Sequence, residues 1–313
     1  MNLEAVAGIV HIPRMPRPHI ARFAAIFLSA ALSTACAVNP PPRPVSSGNY
    51  NGPQAPVAAS PVRFGTIPPS APPAIAAESA IVVDADSGRV LYAKNADVRR
   101  QVASTQKIIT ALCVIDGGNI DSPVTIDKSD TACEPTRLDL KAGDTYTRRN
   151  LLKSLMVKSC NDVARALARD VGGSQEGFSD LMNQKAASLG MRNSHFLNPN
   201  GLPNAAQYST ARDMAIAARY AYRSPLLRSF VATKAYDFQF ADGHTKLLEN
   251  TNRVLKSVPY CNGMKTGTTD AAGRCLVCTG SLNGRSTIVV VLKSNTPNIW
   301  KDSEKLLRWS LEH

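Results

Sequence analysis

Val102-Ala103-Ser104-Thr105-Gln106-Lys107-Ile108-Ile109-Thr110-Ala111-Leu112 is the stretch on which the reading of this chain turns. Apolar residues recur at 108, 109, 111, 112 and 115, close to helical spacing, so it is expected to form the first turns of a buried helix. Ser104 and Lys107 are three apart and fall on one face of that helix. A serine hydroxyl is a weak nucleophile and needs a base beside it. The nearest candidate is a lysine, a poor base at neutral pH because its free pKa is about 10.4. Burial disfavours the charged form. Lowering the pKa by roughly three pH units takes about 4 kcal/mol of differential solvation, and an apolar helix face is where that is easiest to arrange. A Ser and a Lys three apart are ordinarily a solvated pair. Of the fourteen lysines, however, Lys107 alone has a serine three residues earlier, and its neighbours are apolar.

Working outward, strand-like runs at 79–84 and 89–93 flank the turn residues Asp86-Ser87-Gly88, which predicts a hairpin before the Ser104 helix. Residues 124–126 form a short strand, and 138–146 are loop-like. Asn150 is placed to cap a helix beginning at Leu151-Leu152. That pattern breaks at Ser159-Cys160-Asn161, and a second helix follows to Gly172-Gly173. A polar triplet between two apolar helices can present side chains to a cleft or serve as a plain helix–helix turn. Further helices are expected over 178–189 and after Thr210, with a tight loop at Asn198-Pro199-Asn200-Gly201-Leu202-Pro203 between them. A strand ending near Lys265-Thr266-Gly267, a turn at 270–273, a returning strand at 274–279 and a buried strand at 287–292 follow. Asp302 begins the last helix. A lysine on an edge strand can bind a carboxylate, and the adjacent glycine admits a substrate backbone. It can also simply guard the edge against aggregation.

Composition divides the chain. Fourteen of its 21 prolines fall before residue 74. Residues 1–37 look like an export signal, with Arg14, Arg17 and Arg22, an apolar run at 23–32 and small residues after it. Two endings compete. Ala35-Cys36-Ala37 fits a cleavage site, whereas Ser33-Thr34-Ala35-Cys36 resembles a bacterial lipoprotein signal with Cys36 acylated. Residues 38–74 read as an extended Pro-rich linker, suited to a membrane tether or a wall spacer. Residues 75–313 can build one large core. The net charge of +12 is scattered in basic residues with no run beyond a pair, which argues against nucleic acid and suits an anionic envelope surface. The expected location is outside the cytoplasm, in the periplasm or cell envelope. Six cysteines remain after Cys36, and their pairing is open. Cys275-Leu276-Val277-Cys278 has metal-ligand spacing but no second pair and no nearby histidine, so no metal is expected. His195 and His244 are isolated and read as structural.

Each motif is weak singly. Ser104-x-x-Lys107, Ser159-x-Asn161 and Lys265-Thr266-Gly267, in this order and spacing, match the three signatures of penicillin-interacting serine enzymes. The flanking runs 84–92, 189–196, 198–202 and 263–267 narrow the match. Over about 79–311 the chain resembles the serine-type D-alanyl-D-alanine carboxypeptidases, the low-molecular-mass penicillin-binding proteins. The resemblance implies an α/β (α+β) fold of the β-lactamase/D,D-peptidase type: an antiparallel sheet flanked by helices, with a helical lobe and the site between them. No C-terminal β domain or anchoring helix is expected after it.

The resemblance also implies roles. Ser104 attacks the carbonyl between two terminal D-alanines of a peptidoglycan stem peptide. Lys107 takes its proton, Ser159 relays a proton to the leaving amine, and Asn161 holds Lys107 and the substrate amide. Lys265 and Thr266 bind the terminal carboxylate beside Gly267. The backbone N–H groups of Ser104 and Thr268 form the oxyanion hole. No cofactor is needed, and β-lactams are expected inhibitors. Two departures stand out: Cys160 sits inside the second signature, as a thiol that points away or is reactive, and Thr268 stands where some members have histidine. The competing readings are a D,D-endopeptidase cutting cross-links, a β-lactamase, and a non-catalytic peptidoglycan-binding protein. A deacylating glutamate is the discriminator for the second, and only Glu176 and Glu249 lie between Asn161 and Lys265.

Overall fold

The computed structural model describes residues 70–312. The export signal expected at 1–37 and most of the linker expected at 38–74 lie outside the described residues. The N-terminal hairpin pairs β1 (Ser79–Asp84) with β2 (Val90–Lys94), as expected, with a bulge at Val82/Val83. The C-terminal strands are β7 (Cys261–Thr269), β8 (Gly273–Leu282) and β9 (Arg285–Ser294). All five form one antiparallel sheet in the order β2-β1-β9-β8-β7, so β9 is central and β7 is an edge.

The continuous apolar run of β9 reflects burial on both faces. Ile288, Val290 and Leu292 join the larger core, while Val289 and Val291 join a second core on the opposite face. β1 alternates in the same way, with Ile81 and Val83 on one side and Ala80 and Val82 on the other. The smaller core is closed by α9 (Asn298–Glu312) through Ile299, Leu306, Leu307 and Trp309. Each such fully buried aliphatic side chain contributes about 1.5–3 kcal/mol.

The larger core is filled by the helical lobe: α1 (Lys107–Asp116), α3 (Arg148–Lys158), α4 (Asn161–Gly172), α5 (Gln175–Leu189), α6 (Ala211–Arg223) and α7 (Pro225–Ala232), with the one-turn α2 (Lys128–Thr131) beside it. Two small hairpins decorate it. One pairs β3 (Pro123–Thr125) with β4 (Thr145–Thr147), and the other pairs β5 (Ala235–Gln239) with β6 (Thr245–Glu249). A one-turn helix, α8 (Val254–Ser257), precedes β7.

Three local expectations are corrected. Ser104 precedes α1 in a 3-10 turn over Ala103–Gln106, because Ala103 adopts a left-handed φ of 48° that an α-helix cannot continue through. Thr147, not Asn150, caps α3: its extended backbone lets its hydroxyl accept the Asn150 N–H at 3.2 Å. The last helix starts at Asn298 rather than Asp302, whose buried carboxylate instead accepts the N–H groups of Ala76 and Ala77 at 3.1 and 2.9 Å. α7 and the β5–β6 hairpin went unread because their apolar patterns are short.

Candidate active site

The 3-10 turn, the α3–α4 junction and edge strand β7 meet around one cleft of about 550 Å³. Ser104, Ser159, Thr251, Thr266, Gly267 and Thr268 line it. Lys107 lies beneath, fully buried at the start of α1. Its Nζ is 2.9 Å from Ser104 Oγ, 2.7 Å from Asn161 Oδ1 and 2.6 Å from the Asn200 carbonyl oxygen.

Each partner is itself held. Asn161 begins α4; its N–H donates to the Thr136 carbonyl at 2.6 Å, and its Nδ2 donates to the Glu134 carbonyl at 3.3 Å. That second bond turns Oδ1 toward the lysine. The neighbouring Asp162, fully buried, accepts the N–H groups of Leu138, Asp139 and Val163 at 2.9–3.0 Å and so pins the loop that carries Thr136. Asn200 closes the ring: its Nδ2 donates to the Asn161 carbonyl at 2.8 Å. The Asn198–Gly201 loop is folded over the Asn198 Oδ1, which accepts from Gly201 N at 2.8 Å. Gly201 has φ +83° and packs against the Ala103 carbonyl so closely that a side chain could not fit.

Ser159 ends α3 in a left-handed conformation, φ 72° and ψ 27°, which lets the chain reverse into α4. Cys160 is buried beside it, and burial pushes its thiol up to about 12. The thiol is therefore held protonated and is not a competing nucleophile.

The β7 side is sparser. Lys265 is 1% exposed, so it is no solvated edge lysine, and among the described residues its Nζ donates only to the Thr266 carbonyl at 3.1 Å. Thr266 shares a 2.6 Å hydroxyl–hydroxyl bond with Thr251. A Cβ on Gly267 would stand 2.9 Å from the Ser104 N, which shows how tightly this strand passes the nucleophile's turn. Thr268 Oγ1 accepts from Arg274 Nη1 at 3.0 Å.

Burial, chiefly, and then the charge of Lys265 hold the Lys107 amine well below the ordinary lysine range. Burial alone takes Lys265 down to about 7. Lys107 then satisfies a simple count. A neutral amine has two N–H donors and one lone pair. Two of its partners, Asn161 Oδ1 and Asn200 O, accept only, and the third is a hydroxyl that can donate. A neutral Lys107 would fill both acceptors and keep a lone pair for the Ser104 hydroxyl, which also lies 3.3 Å from the Asn200 carbonyl oxygen.

Of the residues expected at the site, Ser104, Ser159, Thr266, Gly267 and Thr268 line the cleft, Lys107 and Asn161 are hydrogen-bonded behind Ser104, and Lys265 is buried in β7. The sequence reading missed Asn200, Thr251 and Arg274 as participants. The unusual Asn198-Pro199-Asn200-Gly201 loop carried a signal for the first; the other two carried none. His195 and His244 lie elsewhere. His195 exchanges backbone bonds with Tyr208, and the His244 ring stacks on Phe240.

The pattern of a protein family described as D-alanyl-D-alanine carboxypeptidase matches residues 67–296. The chain is 35% identical over 228 residues to D-alanyl-D-alanine carboxypeptidase DacF of Bacillus subtilis, covering 71% of this chain and 58% of that protein. It is 29% identical to a D-alanyl-D-alanine endopeptidase of Pseudomonas aeruginosa over 289 residues, 91% of this chain and 86% of that one. The crystal structure of the Streptomyces K15 DD-transpeptidase superposes with a TM-score of 0.73 and 34% identity, covering 77% of this chain and 99% of the other.

Proposed function

Since the chain belongs to the D-alanyl-D-alanine carboxypeptidase family, we propose that it is a serine D,D-peptidase that removes the terminal D-alanine from peptidoglycan stem peptides. The observation that carries this reading is the fully buried Lys107 amine, held below the ordinary lysine range by that burial and 2.9 Å from Ser104 Oγ. Ser104 gives its proton to Lys107 as its oxygen adds to the penultimate carbonyl. The Ser104 and Thr268 N–H groups hold the resulting oxyanion, usually the largest electrostatic contribution to such a step. Ser159, at the cleft wall, passes the proton to the departing D-alanine amine. The C–N bond breaks and an ester to Ser104 remains. Water, deprotonated by Lys107, hydrolyses it. Lys265 and Thr266 hold the terminal carboxylate, and Asn161 holds both Lys107 and the substrate amide. A carboxylate entering beside Lys265 favours its charged form and raises its pKa.

β-Lactams, as cyclic acylating analogues, are the expected inhibitors. The Arg-rich, then apolar, N-terminal run supports export to the cell envelope, with or without a lipid tether at Cys36.

Intact mass after incubation with benzylpenicillin tests the reading, with Ser104→Ala alongside. A long-lived adduct of one drug mass, lost in the variant, is expected. Drug consumed with no adduct points to a β-lactamase, and neither adduct nor consumption sinks the catalytic reading. The 29% identity to an endopeptidase across 91% of the chain favours one second reading, cleavage of cross-links. D-alanine release from a pentapeptide, compared with cleavage of a cross-linked dimer, decides between the two.

A further inference from the structure

Arg274 is the first charged residue of β8 and stands in register opposite Thr268 of β7. Its side chain is exposed at the cleft wall, where its Nη1 donates to Thr268 Oγ1 at 3.0 Å. It makes no ion pair among the described residues. Of the other cations around the cleft, Lys256 pairs with Glu249 at 3.0 Å and the Arg253 guanidinium lies 5.5 Å from the Trp300 ring centroid; Lys158 also lines the cleft, on the α3 side, but it is a point charge without a guanidinium's fork. A charged guanidinium held by one N–H on a threonine, with its remaining donors facing a cleft, has the fork that fits a carboxylate. Lys265, by contrast, is buried and has lost much of its charge by neutral pH.

We propose that Arg274 is a specificity residue of the cleft, its guanidinium held on Thr268 to recognise the free carboxylate of the peptide's C-terminal residue. This rests on the D,D-peptidase reading. It assigns the permanent charge of the subsite to β8 and leaves Lys265 as the partner whose charge is completed when substrate arrives. The exposed guanidinium captures the carboxylate from solvent, and the buried lysine meets it at depth.

The test compares a blocked D-Ala-D-Ala peptide with its C-terminal carboxamide in wild type, Arg274→Gln and Arg274→Lys. Wild type is expected to prefer the carboxylate. Arg274→Gln, which can still bond Thr268, is expected to lose about tenfold in kcat/KM on the carboxylate, through KM, and to leave the carboxamide rate unchanged. Arg274→Lys recovers part of the preference, since it restores charge without the fork. Wild-type kcat/KM on the carboxylate falls with added salt, and the Gln variant's falls less. Equal losses on both substrates would make Arg274 a support for Thr268 and overturn the proposal, as would a Gln variant that keeps the preference. Benzylpenicillin labelling of Ser104 is run in parallel. If wild type neither labels nor releases D-alanine, the peptidase reading falls and this inference with it; if it does both, a failed preference test overturns the inference alone.

Discussion

The two walls of the cleft each bury a lysine and use it differently. On the helical wall Lys107 has three oxygen partners within 2.9 Å, each anchored by a further bond. On the sheet wall Lys265, buried behind the cleft lining, has one hydrogen bond among the described residues, to a backbone carbonyl. The first wall is finished before substrate arrives, as a proton-transfer site must be if it is not to reorganise at the moment of reaction. The second is left incomplete, and on the proposed reading the substrate's carboxylate completes it. The contrast teaches that burial alone does not define a lysine's role. What matters is whether its donors are already matched.

The comparison breaks most sharply at Lys107. Lys107→Ala removes the base and is expected to slow Ser104 acylation about 10³–10⁴-fold while the fold persists, because the loss is one of proton transfer. Stopped-flow acylation by a fluorescent penicillin measures it, and a variant that acylates at the normal rate would remove Lys107 from the role. Asn161→Asp sharpens the same point. A carboxylate 2.7 Å from Nζ favours the ammonium and raises the Lys107 pKa. The acid limb of kcat/KM then moves to higher pH, and activity at neutral pH falls about tenfold or more.

Next in size is the shape of the pH profile. The helical wall works with Lys107 neutral, so kcat/KM rises as that proton leaves. The sheet wall works with Lys265 charged, so kcat/KM falls as pH climbs past about 7. The result is a bell whose limbs belong to the pair. In kcat the alkaline limb lies higher, since bound carboxylate holds the Lys265 proton. Lys265→Arg, which does not titrate in this range, is expected to abolish the alkaline limb and keep the acid one. An unchanged bell would detach Lys265 from substrate binding.

Much of this was legible in the sequence, for physical reasons. β1 and β9 announced themselves because both their faces are buried, which forces apolar runs such as 287–292, while β2 was read from the turn residues that join it to β1. The three site signatures were legible because their chemistry demands particular residues at fixed spacing. What escaped depended on backbone and on register. Asn200 acts through its carbonyl as well as its side chain, and a carbonyl leaves no mark in a sequence. Ala103's left-handed turn lies in a stretch whose apolar pattern suits a helix. Arg274 becomes a neighbour of Thr268 only once β7 and β8 pair.

The smallest effect discriminates the walls most cleanly, because the sign itself is at stake. Replacing Lys107 with Met leaves the buried Asn161 Oδ1 unmatched, at about 1–3 kcal/mol, and leaves Asn200 O with the Ser104 hydroxyl at 3.3 Å. Replacing Lys265 with Met leaves only the Thr266 carbonyl short of one bond and removes a cation whose burial opposes folding. Each substitution removes the cost of a buried lysine, but only Lys107→Met also strands Asn161 Oδ1, so Lys265→Met is expected to raise Tm, by about 2–4 °C for each kcal/mol regained, and Lys107→Met to raise it less or to lower it. The rise has a pH signature. Folded Lys265 titrates near 7 and unfolded lysine near about 10.4. The unfolded chain therefore binds more protons between those values, and stability climbs with pH across that window. Lys265→Met removes its share of the climb, so its advantage over wild type is full below pH 7 and fades toward pH 10. Thermal melts at pH 6 and pH 9 measure this. A Lys265→Met protein that melts lower at both would mean that the sheet wall is as finished as the helical one.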